Sequence, residues 1–308
     1  MKELLRSSGH WQLGLAVVAL AACAHEETVA QDAWKDDARA SPYADGAVDD
    51  AVKPQPVAAT PGTRCPVAER VGLVVIAGYD YAPDDLQVWG RLLDRPHPLY
   101  GEPTLEDESC AFYACRATAP CDPPCEGGSL CSLDGECTPA PVPAFDAELV
   151  LRADGHEQRF TPDNSGSING LLELAGDRFA VELRGNGVVV TLVETTVPSF
   201  LESVTGTLSG TCGRPTGFDI EWPAPPELDS HVYTHIPINH HAQGLSFTEC
   251  TVPAAAGSVH IDEPMLTPLA VITGLEFQGA EHLRFAAAET ALGCVELRFQ
   301  RYTDPSFL

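Results

Sequence analysis

Phe179-Ala180-Val181-Glu182-Leu183 runs through Gly185-Asn186-Gly187 into Val188-Val189-Val190-Thr191-Leu192-Val193, and this stretch decides the fold. Before the turn, apolar and polar residues alternate with period two, the spacing of a strand with one buried face. Asn-Gly between two such runs is a strong hairpin signal, because both residues tolerate the positive φ of a tight two-residue turn. Glu148-Leu149-Val150-Leu151-Arg152 followed by Asp154-Gly155 repeats the pattern upstream. Further strands are predicted at 204–209, 216–222, 230–236, 244–252, 257–261, 269–277 and 293–302. In the last of these, Val295, Leu297 and Phe299 alternate with Glu296, Arg298 and Gln300, which reads as a half-buried final strand.

Upstream, Gly72-Leu73-Val74-Val75-Ile76-Ala77-Gly78 is short, apolar and flanked by breakers, as a buried strand should be. Leu86 to Leu93 reads as strand with a helical turn as the competitor, and Ala280 to Leu292 is ambiguous. No long helix is required anywhere. The expectation is an all-β protein: a small disulfide-rich module joined to an antiparallel, Ig-like β-sandwich region.

The 308 residues carry 44 acidic and 18 basic side chains, a formal charge of −26. That charge excludes a phosphate-binding basic stripe, so no nucleic-acid partner is expected. A hydrophobic content of 44% is enough for a sizeable core and excludes wholesale disorder. The only long apolar run, Leu13 to Ala22, is too short for a stable bilayer span.

That run follows Lys2 and Arg6 and ends in Leu20-Ala21-Ala22-Cys23, which resembles the lipobox of bacterial lipoproteins. The resemblance implies cleavage after residue 22, lipidation of Cys23 and a membrane partner reached through its acyl chains, since two or more chains anchor where one binds marginally. Ala24, in place of an aspartate, implies the outer membrane or cell surface. Residues 23–64 then form the lipidated cysteine and an acidic, disordered tether with an r.m.s. reach of roughly 35 Å. All three lysines (Lys2, Lys35, Lys53) fall in the signal or the tether.

Without Cys23, ten cysteines remain, an even number suited to an oxidising compartment: Cys65, Cys110, Cys115, Cys121, Cys125, Cys131, Cys137, Cys212, Cys250 and Cys294. All ten are expected in disulfides. Residues 65–138 read as the Cys-rich module and 139–308 as the sandwich region, with 139–210 and 211–308 as two candidate units within it. Cys121 to Cys137 has too few large apolar residues for a core, so disulfides must replace burial there. Pairing Cys121 with Cys131 and Cys125 with Cys137 is the reading adopted, although spacing alone leaves other pairings open. Seven cysteines lie at or before Cys137 and three beyond it; full pairing of two odd sets demands a bridge between the regions. Zinc would favour C-x-x-C knuckles, which are absent.

Lipobox, tether, Cys121-Asp-Pro-Pro-Cys125 with its following cysteines, and β sequence together resemble a family of Cys-rich β-sandwich outer-membrane lipoproteins common in myxobacteria. The later matches are Ile220-Glu221-Trp222-Pro223-Ala224-Pro225-Pro226, Phe247-Thr248-Glu249-Cys250, and Gly257-Ser258-Val259-His260-Ile261 through Met265-Leu266. Asp262-Glu263-Pro264 departs from the small apolar turn of that pattern. The resemblance implies an architecture and no activity.

Candidate chemistry is sparse. His231 and His235 lie four apart on a strand, roughly 13 Å at about 3.3 Å per residue, too far to share one ion; His240 and His241 read as an exposed turn. Asp163-Asn164-Ser165-Gly166 and Asp134-Gly135-Glu136 could offer oxygens to calcium, but neither completes a calcium loop. There is no G-x-S-x-G, and His156-Glu157-Gln158-Arg159-Phe160 lacks the second histidine of H-E-x-x-H. Trp89 and Trp222 could stack on sugar, with Trp222 better placed as core beside Phe218 and Ile220. No catalytic residue, metal site or cofactor is assigned. The expected function is a surface-displayed, non-enzymatic lipoprotein with a structural, recognition or adhesion role toward an unidentified envelope or surface ligand. The alternatives are an anchored envelope-acting hydrolase or a calcium- or sugar-binding adhesion module.

Overall fold

The computed structural model describes residues 55–98, 101–114, 121–132, 134–174, 176, 178–211, 214–227, 229–237, 246–270, 279–304 and 306–307. Residues 1–54, Cys23 among them, lie outside the described residues, as do Cys115, Cys212, His240 and His241.

In chain order the strands begin with β1 (Val57–Ala58), β2 (Thr60–Pro61), β3 (Arg70–Tyr79), β4 (Ala82–Leu92), β5 (Leu105–Glu106), β6 (Cys110–Tyr113), β7 (Ser129–Cys131) and β8 (Cys137–Pro139). Then come β9 (Glu148–Ala153), β10 (His156–Phe160), β11 (Ser167–Leu172), β12 (Arg178–Gly185), β13 (Val188–Thr196), β14 (Thr205–Thr211) and β15 (Arg214–Glu221). The chain continues through β16 (His231–Pro237), β17 (Phe247–Pro253), β18 (Ser258–Asp262), helix α1 (Glu263–Ala270), β19 (Ala280–Thr290), β20 (Gly293–Thr303) and β21 (Ser306–Phe307).

Both predicted tight turns form. Asp154 and Gly155 take φ of 48° and 79°, and Asn186 and Gly187 take 48° and 74°, the left-handed pair of a type I′ hairpin. They join β9 to β10 and β12 to β13.

The long strands build a ten-stranded sheet in the order β11-β4-β3-β20-β19-β16-β17-β6-β5, with β2 added on β19. This sheet is the common wall of two cores. Over one half, a five-stranded sheet (β1-β13-β12-β9-β10) packs Leu149, Leu151, Phe179 and Leu183 against Val74, Ile76, Leu297 and Phe299. Over the other half, a four-stranded sheet (β18-β15-β14-β21) and α1 pack Phe218, Ile220, Ile261 and Leu266 against Phe112, Val232, Ile236 and Val252. Each fully buried large side chain contributes roughly 1.5–3 kcal/mol relative to exposure.

The protein is all-β with disulfide braces, and several finer expectations are corrected. The sheets are mixed: β3 and β20, the first and last long strands, pair in parallel at the centre of the wall, and β1–β13 and β14–β21 are also parallel. Residues 65–138 are therefore no separate module, because β3, β4 and β6 belong to the wall. Only the hairpin β7–β8 forms its own sheet. The expected disordered stretch does not extend to residue 64, since Val57–Ala58 joins the five-stranded sheet and Thr60–Pro61 joins the wall. Residues 139–210 and 211–308 do supply different outer sheets, yet they share the wall.

The ambiguous 280–292 stretch is strand, and 86–93 falls mostly in β4. Residues 269–270 of the predicted 269–277 strand close α1 instead, and 271–278 lie outside the described residues. Asp262-Glu263-Pro264 starts that helix, where a proline in the first turn removes no helical hydrogen bond. Met265, Leu266 and Leu269 then face the second core.

The described cysteines form four disulfides. Cys121–Cys131 and Cys125–Cys137 hold the β7–β8 hairpin in the pairing adopted from the sequence. Two long-range bridges, Cys65–Cys294 and Cys110–Cys250, join early to late chain, as the odd counts required.

Candidate functional site

One face of the wall meets the two cores; the other carries polar groups beside a smaller apolar cluster of Tyr233, Leu283 and Phe285. On β20, Val295, Leu297 and Phe299 point into the core while Glu296, Arg298 and Gln300 point away. These three are not the solvent-facing half of an edge strand: they are 0%, 8% and 5% exposed. The reason is curvature and cover. Arg91 and Leu93 at the end of β4 line the same cleft as His235 and Phe247 of β16 and β17, so the wall curls around it. The segment after β2 crosses above, clamped by Cys65–Cys294.

The floor is an ion network. The Glu296 carboxylate accepts from the Cys65 backbone N–H at 2.9 Å and from Arg298 Nε at 2.5 Å, and pairs with Arg70 at 3.3 Å. Burial pushes this carboxyl up, but Arg298, Arg70 and Arg64 outweigh it and hold it down to about 2. Burial disfavours the Arg298 charge as well, and Glu296 more than compensates, so the guanidinium is held protonated.

Glu249 on β17 is similarly occupied. It accepts from the Tyr233 hydroxyl at 3.0 Å and the Tyr113 hydroxyl at 3.4 Å, and pairs with Arg64 at 3.3 Å. Burial and the Glu249 charge drive the Tyr233 hydroxyl far above its ordinary range. The guanidinium carbons of Arg64 and Arg298 lie 5.4 and 5.1 Å from the Tyr233 ring centre, within cation–π range.

Above this floor, Trp89, Tyr233, His235, Gly279, Glu281, Arg298, Gln300 and Tyr302 enclose a recess of about 240 Å³. It adjoins the larger cleft of about 400 Å³ that holds Arg70, Arg91 and His97 and shares Tyr233, His235 and Arg298. Register explains the convergence: Trp89 opposes Val75 and Val75 opposes Arg298, while Tyr302 opposes Glu281 and Glu281 opposes Tyr233. Gly279, at φ 131°, is needed at the rim; a Cβ there would lie 2.6 Å from the Thr303 carbonyl oxygen and 3.0 Å from the Tyr302 hydroxyl.

Three polar groups in this recess keep unused hydrogen-bonding capacity among the described residues. Among the described residues, neither terminal nitrogen of Arg298, nor the Gln300 amide, nor the Glu281 carboxyl makes a hydrogen bond or ion pair. Burial pushes the Glu281 carboxyl up to about 7 against the pull of Arg298 and Arg64. Burial also keeps the His235 imidazole below its ordinary value, hence neutral at pH 7. Trp89 offers its indole at 39% exposure. A guanidinium fork, an amide, a protonatable carboxyl and an aromatic plate can together orient a small polar ligand.

The residues singled out in the sequence are scattered by comparison. The His231 and His235 rings rest on Phe285 and Phe247 at 4.6 and 4.9 Å, and only His235 reaches the cleft. Asp163 Oδ1 accepts from the Ser165 N–H, the Ser165 hydroxyl and the Ser167 N–H, closing a turn. Asp134-Gly135-Glu136 is an exposed turn in which Gly135 N–H donates to the Ser132 carbonyl. The sulfurs of Cys121, Cys125 and Cys131 cluster within 4.8 Å, but all three are held in disulfides. His156 and Glu157 are exposed on β10, an edge strand. Trp222 is core, its indole N–H donating to the Ala254 carbonyl at 2.8 Å, whereas Trp89 opens on the recess. Arg298, Glu281 and Gln300 were missed because their alternation matches an ordinary solvent-facing pattern.

No family model matches the sequence, and no curated relative does. Among solved structures, the tetra-tandem repeat in the extending region of a large adhesion protein aligns over 76% of this chain and 49% of its own, at 10% identity and a TM-score of 0.18. The chain thus spans about half the length of that repeat array. The FN1–FN3 domains of chicken CNTN1 align over 71% of this chain and 78% of theirs, at 6% identity and a TM-score of 0.20. At these scores neither likeness carries an argument about function; the β architecture rests on the strands themselves.

Proposed function

We propose that this chain is a surface-displayed, lipid-anchored recognition module, acylated at Cys23 and presenting the recess between Trp89 and Arg298 to an envelope or surface ligand. The observation that carries the reading is the set of polar groups that make no hydrogen bond among the described residues, beside an exposed indole, in a recess built over a buried ion network. That face also buries Tyr233, Leu283 and Phe285, and leaving polar groups with unused hydrogen bonds beside such a cluster opposes folding. The lipobox-like Leu20-Ala21-Ala22-Cys23 and the disulfide-braced body support an exported, anchored location.

Mass spectrometry of the native protein tests the anchor: a diacylglyceryl-sized addition on a mature N-terminal Cys23 is expected, and an unmodified Cys23 overturns it. Capture by the full chain from glycan and peptide libraries, lost in Trp89→Ala, tests the recess. Turnover of an envelope polymer, abolished by one polar substitution, would replace recognition with hydrolysis.

A further inference from the structure

We propose that the recess takes a carboxylated sugar, a uronic-acid unit of an acidic glycan, with the carboxylate on the Arg298 fork and the ring on the Trp89 indole. This deepens the reading above and rests on it.

Arg298 is 8% exposed, and its Nε is fixed on Glu296, which aligns the guanidinium before any ligand arrives. Its two terminal nitrogens make no hydrogen bond or salt bridge among the described residues, and Arg298 lines the recess. A planar fork of that kind matches a carboxylate through two parallel hydrogen bonds. The Glu296 charge beneath offsets that of Arg298, so the site suits one negative charge better than the two of a phosphate monoester.

The remaining groups select a ring. Trp89 and Arg298 stand on one face two strands apart, roughly 10 Å at ~4.8 Å per strand. Val75 stands between them and is fully buried, so a pyranose is held above it, in the recess of about 240 Å³ that the indole and the fork both line. The C–H face of a sugar is weakly positive and meets the negative face of an aromatic ring. Gln300, 5% exposed and without a hydrogen bond among the described residues, and Glu281 stand beside the ring position, ready to meet hydroxyl groups. A peptide C-terminus would use the fork but leave the amide, the carboxyl and the indole without a matched partner.

The site also carries a pH dependence. Glu281 is faced by Tyr233 and His235 from β16, Arg298 and Tyr302 from β20, Tyr79 from β3, Glu249 from β17 and Arg64 from the crossing segment. Of these, Glu249 is saturated and His235 neutral, so the proton on Glu281 sets the local charge as pH passes about 7. Protonated, Glu281 donates to a sugar oxygen. Ionised, it repels the carboxylate.

Calorimetry of the full chain with glucuronic acid, its methyl ester, glucose and N-acetylalanine at pH 6 and pH 8 tests this. Glucuronate is expected to bind at least about tenfold tighter than the other three. Its affinity should fall between pH 6 and 8, and Glu281→Gln should abolish that fall. Trp89→Ala and Gln300→Ala should each weaken binding several-fold without altering the melting temperature, which keeps the test valid if Arg298→Lys fails to fold. Equal affinity for glucose overturns the carboxylate contact; equal affinity for N-acetylalanine overturns the sugar. Glucuronate binding that ignores Trp89→Ala and Gln300→Ala overturns the location. Silence toward glucuronate, with library capture still lost in Trp89→Ala, overturns the ligand class while leaving the recess a recognition site.

Discussion

The two faces of the ten-stranded wall are built from the same strands and solve opposite problems. Inward, Val74, Ile76, Leu297 and Phe299 meet other apolar groups, and burial by itself stabilises them. Outward, Glu296, Arg298 and Glu249 are almost as deeply buried, yet each requires a matched partner to be tolerated. The inward face tolerates any well-shaped apolar filling. The outward face tolerates only a particular set of charges, and where its pairing stops, at the Arg298 fork, Gln300 and Glu281, it leaves room for a ligand. Function on this wall begins where internal satisfaction ends.

That contrast can be broken most forcefully by truncation on either side. Phe299→Ala should lower stability by about 3–5 kcal/mol through a cavity, and Glu296→Ala by about 3–5 kcal/mol through stranded arginines, both read by denaturant unfolding. The paired replacement Glu296→Leu with Arg298→Met should lose less than Glu296→Ala alone, because Arg298 is no longer stranded while Arg70 and the Cys65 N–H still lack their acceptor. A loss in the pair as large as in Glu296→Ala would show that the Arg298 contact adds nothing.

Removing the clamp that holds the crossing segment over the outer face comes next. Cys65→Ser with Cys294→Ser opens a loop of 229 residues and should cost about 2–5 kcal/mol. It should also detach Arg64 from Glu249 and Thr251. An unchanged melting temperature would show that β1 and β2 alone hold the segment down.

Acid and base sharpen the comparison further, because two carboxyls of this face titrate in opposite senses. Glu296, held down to about 2 from an ordinary value of 4.5, contributes stability that is full above pH 4.5 and lost as pH falls toward 2. Glu281, raised to about 7, binds its proton more tightly when folded, so stability declines as pH climbs from 4.5 to 7 and then levels off. Glu281→Gln should flatten that upper decline, a change on the order of 2 kcal/mol in pH-dependent melts. A native protein equally stable at pH 5 and pH 8 would contradict it.

The smallest effect belongs to the β7–β8 hairpin, which lies outside both cores. Cys125→Ser with Cys137→Ser should open residues 121–139 to protease while moving the main unfolding transition by less than about 1 kcal/mol. Proteolysis and calorimetry on one sample separate the two outcomes.

Much of the strand content was legible because period-two alternation and Asn-Gly or Asp-Gly turns are local properties. Phe179 to Val193 forms its hairpin without reference to anything distant. The pairing of β3 with β20 was not legible, since more than two hundred residues separate them and no local pattern chooses a parallel neighbour. Glu296-Leu297-Arg298-Phe299-Gln300 shows the limit most sharply: its alternation is the same whether the polar side meets water or a curled wall beneath a crossing segment. Helix α1 was missed for a related reason, because its two prolines argue against helix while Met265, Leu266 and Leu269 gain more by reaching the second core.

From its sequence alone, then, this chain determined that it would be built of strands and that its sulfur chemistry would tie early residues to late ones. Only the tertiary structure decided that Arg298, Gln300, Glu281 and Trp89 share one recess. Alternation specifies on which side of a strand a residue points; what lies on that side depends on strand order, curvature and cover, and these are fixed by contacts between segments far apart in the chain.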